Sequence, residues 1–181
     1  MTKKMSRKES NSWPWIYPLA KSKKPTSLGN VTHPGSFAVL RKHDIHTGID
    51  LYCEPDEEVL ACEDGEVVKI ENFTGEGANP PSPWWNETQA VLVEGKFGVL
   101  VYGEIKPIEG LKVGDKVKAG QVIGNVQTVL KKDKGRPMTM LHFEMYVKGA
   151  RETVVWNKEE ERPESLLNPT LNLLCSKYKN E

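Results

Sequence analysis

The chain contains 181 residues, a length that suits one domain with its own hydrophobic core. Its 25 lysine and arginine residues match 25 aspartate and glutamate residues. This balance argues against nucleic acid as the main partner, because phosphate binding requires a basic surplus. It excludes no class of peptide or small-molecule ligand, and it does not determine the oligomeric state.

Features that report on the cellular compartment indicate a reducing environment. No run approaches the ~20 apolar residues of a membrane span, and no apolar segment typical of a signal peptide follows the basic start. We therefore expect a cytoplasmic protein by default, with an extracellular or periplasmic location only by a route not visible in the sequence. The odd number of cysteines agrees with a reducing compartment. Cys53 and Cys62 are expected to be buried small side chains, although they could pair in a secreted protein.

Prolines and lysines are frequent in the first part of the chain, and residues 1–42 are predicted to form an N-terminal arm and a loop-rich lead-in. We expect one domain over residues 43–174 and a charged tail over residues 175–181. Within the domain, short valine-rich runs separated by turn residues predict a mainly β fold, a twisted antiparallel sheet with β-hairpins. The strand-like runs are 58–62, 66–70, 90–94 and 99–105.

Turn signals between these runs predict how the strands connect. Asp64-Gly65 between two apolar runs predicts a hairpin, and a second hairpin is expected to turn at Lys118-Ala119-Gly120. Residues 71–88 are predicted to be a long irregular insert, in which Trp84 and Trp85 either line a groove or cap the core. A short closing helix is expected within residues 163–174.

The stretch His46-Thr47-Gly48-Ile49-Asp50-Leu51 carries an imidazole and a carboxylate four residues apart. In a straight strand these positions would lie ~13 Å apart, at ~3.3 Å per residue. Zinc–ligand bonds measure only about 2.0–2.2 Å. His46 and Asp50 can therefore share an ion only if the chain folds back, and Gly48 at the midpoint has the conformational freedom for such a bend.

A second stretch, Met140-Leu141-His142-Phe143-Glu144, alternates in a way that predicts a strand with one apolar face and one face that can reach a site. His46, Asp50 and His142 are together predicted to form a three-ligand zinc set with an open fourth position, with a chance grouping as the alternative.

Both stretches resemble motifs of the lysostaphin-type zinc metallopeptidases, which are peptidoglycan endopeptidases. His46 to Leu51 resembles their His-x-Gly-x-Asp-Leu motif, and residues 141–144 resemble the latter part of their His-Leu-His-Phe-Glu motif. Residues 114–124 are similar to a glycine-containing hairpin of the family. The resemblance covers about residues 43–149. It implies a lysostaphin-like duplicated-hybrid architecture, one zinc ion and a peptide or peptidoglycan-like substrate.

Two positions depart from the family pattern. Met140 stands where the second motif has a catalytic histidine, and Glu104 stands where a Tyr-Ala-His-Leu segment has another. Because a carboxylate can take a proton from water, Glu104 is the candidate general base, although a solvated or salt-bridged strand residue is the alternative. Met140 has no such group and is expected to shape the pocket wall. Strict alternation places Glu104 on the same face of its strand as Tyr102.

We expect further residues to border the site. Glu144 is expected to orient a metal ligand from behind, and Tyr102 and His43 are expected to line the pocket, with a solvated surface histidine as the alternative for His43. The sequence thus predicts a zinc-dependent endopeptidase that hydrolyses peptide bonds, with peptidoglycan cross-links as the implied substrate. The alternative is a zinc-containing binding module on the same fold that has lost catalysis.

Overall fold

A computed structural model of the protein describes residues 14–181. These residues form eleven strands and one short helix. The elements are β1 (Asp44–Ile45), β2 (Ile49–Tyr52), β3 (Glu58–Leu60), β4 (Gly65–Thr74), β5 (Thr88–Glu94), β6 (Val99–Pro107), β7 (Lys116–Val117), β8 (Val122–Val126), β9 (Met140–Tyr146), β10 (Trp156–Asn157), β11 (Leu166–Leu167) and α1 (Thr170–Cys175).

Nine of the strands belong to one sheet in which every ladder is antiparallel. The main path runs β11-β9-β6-β5-β4-β7, with β2 attached to β9, β8 to β6 and β3 to β8. Strands β1 and β10 form a separate antiparallel pair. This arrangement confirms the prediction of a mainly β, single-domain chain with an antiparallel sheet.

The centre of the sheet is covered on both faces, since all residues of β6 from Val99 to Ile105 are buried. On one face the ring of Trp15 packs edge-on against Phe143, with ring centroids 5.9 Å apart. Ile16 forms a parallel bridge to Lys177, which brings the two ends of the described chain together. Part of the predicted arm therefore packs into the same core as the predicted domain.

Both predicted hairpins are wrong. Strand β3 pairs with β8 and not with β4, while β7 pairs with β4 and not with β8. The two connecting turns lie against each other, with the Ala61 N–H donating to the Gln121 carbonyl and the Gly120 N–H donating to the Ala61 carbonyl. A Cβ on Gly65 would lie 2.6 Å from the Glu94 carbonyl oxygen. The glycine of the Asp-Gly pair therefore permits a close approach of two strands.

Two other segments differ in extent from the prediction. Strand β4 continues to Thr74 and β5 begins at Thr88, so the irregular insert covers residues 75–87 and not 71–88. The helix predicted within residues 163–174 forms only at Thr170–Cys175, because residues 166–167 pair with β9 instead.

The described residues contain three free thiols, at Cys53, Cys62 and Cys175. Burial raises the pKa of the Cys62 thiol, which lies inside the core and accordingly behaves as a small apolar side chain. Within residues 14–181, no helix has the length and apolar character needed to cross a membrane.

Candidate metal centre

Strands β2 and β9 bring the first two members of the predicted zinc set together. Asp50 lies directly opposite His142 in the antiparallel ladder, so both side chains project from the same face of the sheet. Asp50 Oδ1 lies 2.9 Å from His142 Nδ1. Only 7% of each residue is exposed.

His46 reaches the same point from the bend between β1 and β2. Its Nε2 atom lies 3.2 Å from Asp50 Oδ1 and 3.3 Å from His142 Nδ1, and the residue is 3% exposed. The chain therefore folds back between His46 and Asp50, which is the condition for the two residues to share an ion. The three residues form a buried triangle of ligand atoms with edges of 2.9–3.3 Å.

The triangle fits a zinc ion. Tetrahedral zinc with bonds of ~2.0–2.1 Å has neighbouring ligand atoms about 3.3 Å apart, close to the observed edges. The second ring nitrogens are already used, since His46 Nδ1 donates to the Ser36 carbonyl at 2.8 Å and His142 Nε2 donates to Glu144 Oε1 at 2.9 Å. These hydrogen bonds fix both rings with the remaining nitrogen facing the centre, which is the usual arrangement around metal-binding histidines.

Gly48 is needed for close approach and not for an unusual backbone angle. A Cβ at this position would lie 2.6 Å from the Phe143 carbonyl oxygen and 2.9 Å from His142 Nε2. The φ of Gly48 is not positive, so the left-handed conformation suggested by the bend is not used. Gly48 allows the first motif to pack directly on the strand that carries His142.

Glu144 accepts a hydrogen bond from the outer nitrogen of His142, and both of its carboxylate oxygens have hydrogen-bond partners. Its Oε1 atom also accepts a hydrogen bond from Thr47 Oγ1 at 2.5 Å, and its Oε2 atom accepts one from the Tyr146 hydroxyl at 2.8 Å. Burial acts to raise the Glu144 pKa, but these hydrogen bonds and the adjacent His142 lower it. Thr47 and Tyr146 were not predicted to belong to the site, although Tyr146 continues the alternation of the strand.

Arg41 is a further neighbour of the centre that the sequence did not indicate. Its Nη2 atom donates to Asp50 Oδ2 at 2.5 Å and to the Pro34 carbonyl at 3.3 Å. Asp50 thus presents one oxygen to the two histidines and the other to a guanidinium. Burial acts to raise the Asp50 pKa, but the histidines hold it well below its usual range.

Glu104 reaches the centre through a β-bulge. Between the Gln89–Ile105 and Val91–Tyr102 pairs, β6 advances three residues while β5 advances two, and Glu104 has a φ of 62°. The prediction that Glu104 shares a face with Tyr102 is wrong, because the bulge interrupts the alternation.

The Glu104 carboxyl is buried without a full set of partners. The residue is 8% exposed, and Oε2 has no hydrogen-bond partner among the described residues. Burial and then the Asp50 charge raise the Glu104 pKa to about 8, whereas His142 and Arg41 act in the opposite direction. Glu104 therefore lies within electrostatic range of the centre without a hydrogen bond to it.

The other three predicted neighbours, Met140, Tyr102 and His43, differ in their position relative to the centre. Met140 lies two residues before His142 on the same face of β9. Tyr102 is directly opposite Phe143, on the face away from His142, and its hydroxyl accepts the Cys62 N–H at 2.8 Å, so it does not line the site. His43 is exposed and has no hydrogen bond or ion pair to the centre within residues 14–181.

An aromatic side chain that was not predicted to border the site forms one wall. The Phe73 ring lies 5.4 Å from the His142 ring, and a Cβ on Gly103 would lie 2.7 Å from Phe73 Cε1. Gly103, which is paired with His142, therefore makes room for this contact. Phe73 was not predicted to border the site because residues 71–88 were expected to form an irregular insert, whereas Phe73 belongs to β4.

Comparisons with known proteins give a matching family model and solved structures of similar fold. The family model described as peptidase family M23 matches residues 44–154, more than half of the chain. This match confirms the resemblance inferred from the motifs. No curated protein matches the sequence.

Solved structures of similar fold include three with TM-scores of 0.50 or 0.51. The catalytic domain of the antimicrobial peptidase lysostaphin from Staphylococcus simulans has a TM-score of 0.51 at 18% identity, over 78% of this chain and 90% of that domain. The solution structure of lysostaphin has a TM-score of 0.50 at 20% identity, over 76% of this chain and 46% of that one. The chain thus spans about half the length of lysostaphin. The protein cbpa from L. salivarius REN has a TM-score of 0.51 at 19% identity, over 88% of this chain and 97% of that one.

Proposed function

The chain belongs to peptidase family M23, and from this membership we propose that it is a zinc-dependent peptidase that hydrolyses peptide bonds in a peptidoglycan-type substrate. The observation that carries the proposal is the buried triangle of His46, Asp50 and His142, with its edges of 2.9–3.3 Å. The likeness in fold to the catalytic domain of an antimicrobial peptidase supports the choice of reaction.

His46 Nε2, Asp50 Oδ1 and His142 Nδ1 would hold the ion. When bound, zinc supplies Lewis-acid chemistry, because it polarises a carbonyl group and makes water more acidic. Ser36 and Glu144 keep the two imidazole rings oriented through the hydrogen bonds to their outer nitrogens.

Glu104 is the proposed general base. Because Oε2 is buried and lacks a hydrogen-bond partner among the described residues, it is available to accept a proton from an attacking water molecule. The same oxygen then delivers the proton to the amine nitrogen that leaves, so the carboxylate is regenerated. Met140 offers no proton-accepting group and contributes only an apolar wall next to His142.

The test measures metal content and hydrolysis in the same preparations. We expect about one zinc per chain by mass spectrometry, lost in His46→Ala and His142→Ala. Glu104→Gln should keep zinc and lose hydrolysis of cross-linked peptidoglycan peptides. Hydrolysis that survives Glu104→Gln would remove Glu104 as the base, and a wild-type chain that fails to bind added zinc would refute the proposal as a whole.

A binding module that holds zinc without catalysis is the second candidate. Met140 favours it, since the position two residues before His142 has no group that can transfer a proton. This candidate predicts stoichiometric zinc and binding of the peptides, but no cleavage by the wild-type chain. The same assay therefore separates the two functions.

A further inference from the structure

Two loops at one end of the sheet form a continuous surface. The loop over residues 75–87 carries Trp84, a residue that is 64% exposed. Facing it is a second loop in which residues 131–137 are all exposed. Lys131 Nζ donates to the Pro83 carbonyl at 2.7 Å and so joins the two loops beside Trp84.

Backbone contacts make the junction rigid. The Asn86 N–H donates to the Val129 carbonyl at 2.8 Å, and its side-chain amide donates to the Thr128 carbonyl at 2.9 Å. Trp85 forms an antiparallel bridge with Leu130 and packs edge-on against Trp84. The position of Trp84 relative to the second loop is therefore fixed by the fold.

Both loops are anchored at the metal centre. Gln127, at the start of the second loop, donates its N–H to the Glu104 carbonyl at 2.9 Å, and the loop returns at Thr139, immediately before the strand that carries His142. The first loop begins just after Phe73, whose ring lies 5.4 Å from the His142 ring. The roots of both loops therefore lie next to residues of the centre.

The second loop is strongly cationic and its charges are not neutralised. Within residues 131–136, four cationic side chains against the carboxylate of Asp133 give a net charge of +3. The Asp133 carboxylate accepts the Gly135 N–H at 2.8 Å and forms a local turn. Across residues 14–181, no hydrogen bond or ion pair reaches the side chains of Lys132, Lys134 or Arg136.

We propose that Trp84 and residues 131–136, here called the rim, bind a glycan strand that carries peptides with free carboxylates, one of which enters the metal centre. The exposed indole offers a flat apolar surface for a sugar ring, and the free ammonium and guanidinium groups offer partners for carboxylates. The inference rests on the proposed function, since it names the part of the substrate that lies beside the bond to be cut.

Charge and exposure favour a glycan over single-stranded nucleic acid. Nucleic-acid surfaces combine a long cationic groove with several aromatic platforms on which successive bases stack. The rim has one widely exposed indole, and the whole chain has zero net charge. Preference for an oligonucleotide is therefore treated as an outcome that would overturn the proposal.

The test is cosedimentation of the full chain with insoluble peptidoglycan, at pH 7 with a chelator present so that no cleavage occurs. One sample keeps its free carboxylates, and a matched sample has them converted to amides. We expect about tenfold weaker binding to the amidated sample, and a similar loss for the triple variant Lys132→Glu, Lys134→Glu and Arg136→Glu at low salt. Trp84→Ala should weaken binding about fivefold even at high salt, because its contribution is not ionic.

Matched controls carry the same changes elsewhere. The triple variant Lys148→Glu, Lys158→Glu and Arg162→Glu changes the net charge equally at exposed positions outside the rim, and Phe97→Ala removes an aromatic ring that is 41% exposed at the other end of β5. Both should bind like the wild type.

Equal binding of the two samples, no effect of the rim variants, or tighter binding of a single-stranded oligonucleotide would each overturn the rim proposal. Cleavage in the presence of zinc is scored separately. Carboxylate-dependent binding without cleavage would refute the peptidase and leave the rim, whereas cleavage with binding unchanged by the rim variants would refute only the rim.

Discussion

Loading the metal centre with zinc at pH 7 is expected to release protons from two groups, His142 and Glu104. Burial acts to lower the His142 pKa, but hydrogen bonds to Asp50 and Glu144 outweigh it and raise the value to about 10. Burial and the Asp50 charge raise the Glu104 pKa to about 8. At pH 7 the metal-free protein therefore keeps the titratable protons of both His142 and Glu104, so that His142 is an imidazolium and Glu104 a neutral acid.

The charges of the cluster explain why both protons should leave. In the metal-free protein the carboxylates of Asp50 and Glu144 are balanced by Arg41 and protonated His142. His142 must lose its proton to offer Nδ1 to zinc. A dication held by Asp50 also turns the repulsion felt by Glu104 into attraction, so Glu104 ionises. The cluster is then neutral again, with three carboxylates against Arg41 and the dication.

Isothermal titration with zinc in buffers of different ionisation enthalpy counts the released protons. Glu104→Gln should release up to one proton fewer than the wild type at pH 7, and the difference should shrink as the pH rises above about 8, where Glu104 is already ionised in the metal-free protein. As a control, Glu63→Gln removes another buried carboxyl with a raised pKa that contacts the turn near Gly95. It should match the wild type. Equal proton release by the wild type and Glu104→Gln at pH 7 would refute the reasoning.

Three further predictions follow from particular contacts. Gly48→Ala should lower zinc affinity at least about tenfold in a chelator competition assay, because its Cβ would meet the Phe143 carbonyl 2.6 Å away and displace His142; unchanged affinity would contradict the packing argument. Phe143→Ala should lower the free energy of unfolding in urea by about 3–5 kcal/mol, since the ring is fully buried against Trp15; a loss below ~1 kcal/mol would place the ring outside the core. In metal-free protein, the contribution of Glu104 to stability should fall as pH rises from 4.5 through about 8, because only the folded state retains its proton there. Urea unfolding of Glu104→Gln should lack this fall, which is worth roughly 3–5 kcal/mol, and a parallel pH profile in both proteins would contradict it.

Part of the candidate ligand set could be predicted from local information. Alternation in residues 140–144 places His142 and Glu144 on one face of a strand, and a four-residue spacing means that His46 and Asp50 can share an ion only if the chain folds back. Each of these inferences needs only the geometry of one short segment, whereas the meeting of His142 with the first motif, 92 residues away, was implied by the resemblance to the family motifs. The β-rich character of the chain is predictable for the same reason, since strand and turn composition is read within a few residues.

Pairing between distant segments could not be predicted in this way. The Asp64-Gly65 signal describes a turn, but it does not specify that β3 pairs with β8 across more than sixty residues of chain. Arg41 and Ser36 reach the centre from a lead-in without regular strands, where no periodicity indicates which side chain points inward. Such contacts depend on the tertiary fold and not on local preference.

Glu104 lies on a strand that could be predicted locally, but the direction of its side chain depends on a bulge that could not. Its backbone conformation also helps to distinguish the two candidate functions of the centre. Strict alternation would have placed this carboxyl beside Tyr102 in the apolar core, and a bulge with a positive φ redirects it to the centre. A non-glycine residue held in this region costs on the order of 1–3 kcal/mol, and a buried carboxyl oxygen without a hydrogen bond adds to that cost. A module that only binds zinc through His46, Asp50 and His142 would gain nothing from the strained backbone of Glu104 or from its unsatisfied carboxyl oxygen. We therefore expect Glu104→Gly to stabilise the metal-free fold while abolishing hydrolysis, whereas a binding module would show the gain in stability with no function lost.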